Sequence, residues 1–158
     1  LALGDALAVA LLERKGFRRE DFAALHPGGR LGRRLLVRVK DVMVPAEWQL
    51  PASASMRQVV VALAKGRGLA LIVEGGTLAG VISAGDLTRV ADRSADFLEL
   101  PASDVMTRGP RTAHADELAA SVVGLMERHG IVAAPVLDAE EQVVGVVHLH
   151  DLLRAGVV

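Results

Sequence analysis

Gly80-Val81-Ile82-Ser83-Ala84-Gly85-Asp86-Leu87 returns 65 residues further on as Gly145-Val146-Val147-His148-Leu149-His150-Asp151-Leu152. Lys40-Asp41-Val42-Met43 likewise returns, after 63 residues, as Ser103-Asp104-Val105-Met106. Two copies of one unit, each of about 60 residues and in the same order, set the architecture before any single motif is weighed. In the first copy Ser55 is placed to cap a helix through MRQVVVALAKG, followed by the apolar run LALIV, a turn at EGGT, the run LAGVIS and a helix through DLTRVA. In the second, Asp116 opens ELAASVVGLMERHG, then come IVAAPVL, a turn at DAEE, and QVVGVVHLH leading into DLLRA.

Each copy therefore reads as a β-turn-β element held between helices. A unit of this size buries too little surface to be stable alone, so the apolar sheet faces predict that the halves pair. The expected fold is α/β, two β-α-β-β-α-like repeats related by a pseudo-twofold axis. A cleft between them, lined by the ends of equivalent strands, is the natural place for a ligand.

Upstream of the repeats, residues 1–15 carry apolar side chains all round a helix, and Gly16 supplies a left-handed stop. A second short helix is expected over 17–25, and His26-Pro27-Gly28-Gly29 breaks regular structure, which puts a boundary near residues 30–38. The chain starts with Leu inside an apolar helical pattern, so it is expected to be a fragment of a longer protein, preceded by a further N-terminal portion. Its 158 residues hold one ordinary domain or two small ones.

Composition narrows the function classes. Hydrophobic residues make up 51% and aromatics only 3%, so the core must be built from Val, Leu, Ala and Ile, and base stacking is a poor mechanism here. The 18 basic and 19 acidic residues are spread along the chain and leave a net charge of −1, which argues against nucleic acid or an anionic membrane as partner. Without cysteine there are no disulfides, thiolate catalysis or Cys-zinc sites, and a cytoplasmic location is expected. Leu1 to Leu12 carries Asp5 and lacks a basic leader, so it is neither a spanning helix nor a signal peptide.

The paired Asp-Val-Met openings and the Gly-Val-Ile-Ser-Ala-Gly-Asp-Leu element with its degenerate copy resemble tandem CBS domains over roughly residues 38–158. More narrowly, LGDALAVALLERKGFRREDFAALHPGGRLGRRLLVRVKDVM together with GVVHLHDLLRAGVV resembles the C-terminal half of the arabinose 5-phosphate isomerase family. That resemblance implies three segments: 1–37 as the last strip of a sugar-isomerase (SIS) domain, 38–97 as the first CBS domain and 98–158 as the second. It implies a parent aldose–ketose isomerase that interconverts ribulose 5-phosphate and arabinose 5-phosphate for the lipopolysaccharide sugar Kdo, with the CBS pair as a sensor. It further implies a homodimer through the CBS pairs and a tetramer for the full-length enzyme. The fragment by itself is not expected to catalyse.

His26 matches the family's catalytic histidine and could move a proton during enediol formation, but only with the partner groups of the missing SIS domain. Otherwise it is a loop histidine beside Pro27. Ser83-Ala84-Gly85-Asp86 fits the nucleotide motif of CBS domains, in which the Asp takes both ribose hydroxyls and the hydroxyl residue assists at a phosphate; the plain alternative is a helix N-cap. In the second copy His148-Leu149-His150-Asp151 keeps the Asp and replaces the hydroxyl, so the two sites should differ. If His148 and His150 end a strand, they share a face and could bond a carboxylate, a sugar hydroxyl or a phosphate. A metal would need His129 or His114 close by, and no complete ligand spacing is present. They could equally be strand-end residues satisfied by backbone.

Arg89, Arg111 and Arg154 suit anion contacts, with Thr107 and Thr112 as further donors, although such arginines are commonly solvated. Gly75 and Gly76 read as a hairpin turn. No cofactor is expected. The resemblance offers AMP or ATP as ligands, and the two histidines with the scarcity of aromatics favour something richer in oxygens, such as the sugar nucleotide CMP-Kdo. The alternative is a dimerisation module that binds no small molecule.

Overall fold

The computed structural model describes residues 36–157 together with residues 10–11 and 14–16. Gly16 takes φ 63°, the left-handed stop expected of it. The expected helix over 17–25 and His26 lie outside the described residues.

Among the described residues are five helices and two four-stranded sheets. The first repeat runs β1 (Val44–Pro45), β2 (Gln49–Leu50), α1 (Met56–Lys65), β3 (Leu69–Glu74), β4 (Thr77–Ser83) and α2 (Ala84–Arg93). The second runs α3 (Ala102–Val105), β5 (Thr107–Arg108), β6 (Ala113–His114), α4 (Ala119–His129), β7 (Ala133–Leu137), β8 (Val143–His148) and α5 (Leu149–Arg154). The hairpin between β3 and β4 turns at Gly75 and Gly76, with φ of 57° and 86°, values that favour glycine at both positions.

The sheets do not follow the repeats. One has the order β2-β3-β4-β5 and the other β1-β8-β7-β6. Each repeat thus lends its Asp-Val-Met strand to the other: Val44 and Pro45 pair with Val146 and Gly145, and Thr107 and Arg108 pair with Val81 and Gly80. Glycine in the repeated element has a steric reason. A Cβ at Gly145 would stand 2.8 Å from Val44 O and 2.8 Å from Met43 Sδ, and one at Gly80 would stand 2.8 Å from Thr107 O and 2.9 Å from Met106 Sδ. The methionine of each Asp-Val-Met therefore lies on the glycine of the opposite repeat.

The backbone just before each Asp-Val-Met crosses over too. Val39 N donates to Glu117 O and Ala119 N to Val37 O, while Met56 N donates to Leu100 O and Ala102 N to Ala54 O. This corrects one expectation from sequence. Asp116 does not cap α4, which starts at Ala119 after Leu118, because residues 115–119 are tied to the incoming 37–40 segment. Asp116 instead pairs with Lys40 at 2.6 Å on the surface, and each partner's charged form is favoured by that contact. Ser55 does precede α1, and its N–H donates to Gln58 Oε1 at 3.0 Å.

Burial explains the apolar runs. In β3, Ala70 and Ile72 join Met56, Val59 and Leu63 of α1 and Ile82 of β4, while Leu69 and Leu71 alternate to the other face. There they meet Val81 and, from the second sheet, Val146, forming the core between the sheets. Val122 and Met126 of α4 pack with Val136, Val147 and Leu152 in the matching core of the second half. With both sheet faces covered, the strands lose the polar alternation of a half-exposed sheet.

Candidate functional site

A cavity of about 710 Å³, the size range of small-molecule sites, opens between the halves at the end of β4. Four segments form it: the turn into β3, the β4–α2 turn with Ser83, Asp86 and Arg89, β5 and the chain after it with Thr107 and Arg111, and the turn into β7 with His129. All six were singled out from sequence.

Ser83 holds the turn. It is extended, at φ −100° and ψ 167°, and precedes the first residue of α2. Its N–H donates to Asp86 Oδ2 at 2.8 Å and its hydroxyl to the same oxygen at 2.6 Å, while Asp86 N–H donates back to Ser83 Oγ at 3.3 Å. Asp86 Oδ1 faces the Arg89 guanidinium one turn along. Burial pushes the Asp86 carboxyl up, and the hydrogen bonds from Ser83 together with the Arg89 charge more than reverse this, so the group is held below the ordinary carboxylate value. It is an ionised acceptor with a fixed orientation. The cap and ribose-acceptor readings are therefore compatible, since a carboxylate offers about four lone-pair directions.

Around Asp86, Arg67, Arg89, Arg111 and His129 line the same cavity, and Leu69, Val81, Ile131 and Pro135 supply apolar wall. A single carboxylate among several cationic or ionisable nitrogens suits an anion that carries hydroxyls. Arg67 escaped the sequence reading. It stands between Gly66 and Gly68 at φ 56°, unusual for a residue with a side chain, and that Gly-Arg-Gly setting was the available signal.

Thr112, His148, His150 and Asp151 do not line this cavity. Thr112 is half-buried just before β6. His148 ends β8 and His150 lies exposed in the first turn of α5. Their expected common face is thus corrected: the strand stops at His148, as β4 stops at Ser83, and helical geometry turns His150 away. Asp151 receives Arg67 in a two-pronged pair at 2.6 and 3.3 Å. The guanidinium keeps the Asp151 carboxyl below its ordinary value, against a smaller opposing effect of burial. Among the described residues no group of three His, Asp or Glu side chains is placed to hold a metal ion. None of the described helices is long and apolar enough to cross a membrane.

His148 is 6% exposed and its Nε2 has no hydrogen-bond partner. Burial, helped by the Arg67 charge and opposed by Asp151, lowers its pKa from the ordinary histidine value. The unfolded chain therefore takes up this proton first, so the stability contributed by neutral His148 is present above the ordinary histidine range and is lost as pH falls through it. Urea midpoints measured at pH 7.5 and pH 5.5 should show a larger acid loss for the native chain than for His148→Leu. Equal losses would refute a buried neutral imidazole.

The sequence matches the CBS domain family over residues 39–93 and 102–158. It is 46% identical over 161 residues to the arabinose 5-phosphate isomerase KdsD of Pseudomonas aeruginosa, covering 99% of this chain and 49% of that protein. To the same-named protein of Escherichia coli K12 it is 42% identical over 163 residues, covering 100% of this chain and 49% of the other. The chain spans about half the length of the curated relatives it matches. Among solved structures, the CBS domain pair of MJ0100 in complex with 5'-methylthioadenosine and S-adenosyl-L-methionine is 28% identical, with TM-score 0.66 over 75% of this chain and 94% of that one. The CBS domain protein PAE2072 of Pyrobaculum aerophilum complexed with AMP is 26% identical, with TM-score 0.66 over 73% and 89%. The duplicated Asp-Val-Met and Asp-Leu elements, the traded strands and the cleft between the halves agree with these matches, and the chain belongs to the CBS domain family, as a tandem pair.

Proposed function

We propose that this chain is the sensory part of an arabinose 5-phosphate isomerase and that its large cavity binds a nucleotide. The observation that carries the reading is the ionised, oriented Asp86 in a cavity otherwise lined by Arg67, Arg89, Arg111 and His129. A vicinal diol fits the carboxylate, and phosphate or carboxylate groups fit the guanidinium forks. The parentage is supported by the relatives' names and by the likeness along almost the whole chain. Nucleotide binding is supported by the ligands named for the related CBS pairs.

Of the candidate ligands, CMP-Kdo uses the lining most fully. No Phe, Tyr or Trp lines the cavity, so a base would rest on aliphatic wall, and a sugar carboxylate would give Arg111 or His129 an anion. Adenine nucleotides, AMP or ATP, are the second reading, favoured by AMP in a related pair. In the parent enzyme His26 would belong to the isomerase site, residues 1–37 to the SIS domain, and 38–97 and 98–158 to the two CBS domains. The enzyme would act in the cytoplasm as a tetramer, with CBS pairs associating as dimers. A bound nucleotide changes activity only by preferring one arrangement of the pair, and substrate then changes nucleotide affinity by the same factor.

Isothermal titration with CMP-Kdo, CMP, AMP and ATP ranks these readings. CMP-Kdo should bind at least about 10-fold tighter than CMP if its carboxylate meets a cation. AMP binding more tightly than CMP-Kdo would overturn the sugar-nucleotide assignment in favour of adenine. No binding by any of the four would leave an assembly module, for which exposed Val61, Val132 and Leu153 offer apolar contact.

A further inference from the structure

The pseudo-twofold axis provides a second cleft, and the chain fills it with its own side chain. Leu69 pairs with Ser83 in one sheet and Ala133 with His148 in the other, which makes Ser83 and His148, and hence Asp86 and Asp151, equivalent. By the same register Arg67, two residues before Leu69, is equivalent to Ile131, two residues before Ala133. The segment from β1 onward, Val44 to Trp48, answers to the segment from β5 onward, Thr107 to Arg111. A smaller cavity of about 190 Å³ does lie there, lined by Val44, Trp48, Lys65, Arg67 and Val146 among others.

The two clefts differ in what meets the aspartate. In the large one Asp86 is approached by Arg89 of its own helix, and the residue facing across from the β7 turn is the apolar Ile131. Asp151 does not itself line the small one: Arg67, which does, reaches across from it and grips Asp151 with both nitrogens. Beside this pair lies the buried, unpartnered Nε2 of His148. At the mouth, the Lys65 ammonium sits 3.8 Å from the centre of the Trp48 ring. Arg89 meets Asp86 along its own helix, whereas Arg67 comes from the facing turn, so it is the position of the Arg67 guanidinium across the cleft, and not the number of bonds on the carboxylate, that would keep ribose hydroxyls from Asp151.

We propose that Arg67 is an intramolecular plug that makes the second cleft unavailable, so that the pair binds one nucleotide per chain. The inference rests on the nucleotide reading of the large cavity. Position 67 also accounts for its own cost: an arginine held at positive φ is retained where glycine would be easier, and the two-pronged pair across the cleft is what it makes possible.

Titration stoichiometry tests the plug directly, with AMP and CMP-Kdo as separate probes. Arg67→Gly removes the side chain while fitting the backbone, and Arg67→Asn, which also tolerates positive φ, covers the case in which glycine loosens the turn. The native chain should bind one equivalent and both variants two, the second being lost again when Asp151→Asn is added. Stoichiometry is the readout because Arg67 also lines the large cavity and its removal will shift affinity there. Two equivalents on the native chain, or one on both variants, would overturn the plug and leave the nucleotide reading standing. Absence of binding to every protein would overturn both.

Discussion

Asp86→Ala should weaken binding of the proposed nucleotide by about 10- to 100-fold, because the charge-assisted hydrogen bond proposed from its ribose, worth roughly 1.5–3 kcal/mol, would be lost. The carboxyl is ionised and already oriented by Ser83 before any ligand arrives, so little of its contribution is spent on ordering it. Alanine also uncaps α2, and Asp86→Asn separates the two effects by keeping the shape and one acceptor oxygen. Ser83→Ala provides the opposite control, removing the cap hydroxyl for about 1 kcal/mol of stability while the carboxylate stays. Titration alongside thermal melting distinguishes the cases. If Asp86→Asn binds as tightly as the native chain, the carboxylate has no part in recognition.

Gly145→Val should destabilise the fold by about 3 kcal/mol or more, at the upper end for overpacking in a filled interior. The new Cβ would sit 2.8 Å from a backbone oxygen of β1, which can retreat only by leaving the sheet, as well as against Met43. Gly80→Val should behave alike, since Thr107 O and Met106 Sδ stand in the same relation to it. Gly124→Ala is the informative contrast. Its Cβ meets only the end of the Arg128 side chain at 3.1 Å inside α4, so relief of the helix should stabilise by about 0.5–1 kcal/mol. Urea midpoints at unchanged m report all three. A Gly145→Val midpoint close to native would mean that the traded strand is not held where the register puts it.

Sequence reading found the hairpins and flanking helices because β3, β4, β7 and β8 are long apolar runs bounded by turn residues, and the duplication made each half a check on the other. The trade of strands was hidden. β1 and β5 are two residues long, too short for any period, and their partners are decided by packing of Met43 and Met106 on distant glycines. Asp116 looked like a cap because local chemistry permits it, and backbone bonds to residues 37–40 decide otherwise. At the site, the helix-start motif pointed to Ser83, Asp86 and Arg89, while Thr107 was named as the residue after Met106, Arg111 as a basic residue at the start of a second-half strand, and His129 as a further histidine that could come near His148 and His150. His150 was misplaced because alternation was extended two residues past the strand's end, into the first turn of α5. Arg67 was overlooked because a charged residue between two glycines looks like an ordinary exposed turn, and only the third dimension brings Asp151 to it.

The crossing of the Asp-Val-Met strands has a consequence for how the chain reaches its native state. A nascent first repeat, finished at Arg93, still lacks the edge strand of its own sheet, which is synthesised later at Thr107, and β1 has nothing to pair with until Val146 has emerged. Half a molecule is therefore a sheet with an open edge and a spare strand, the condition under which chains pair wrongly with neighbours. Closure of β1 onto β8 joins nearly the two ends of the pair and belongs late in folding, after the local hairpins have formed. The same arithmetic makes the pair separable on purpose: the two pieces made by cutting between Arg93 and Ala102 each hold the strand the other is missing, and would reassemble as a complementing pair.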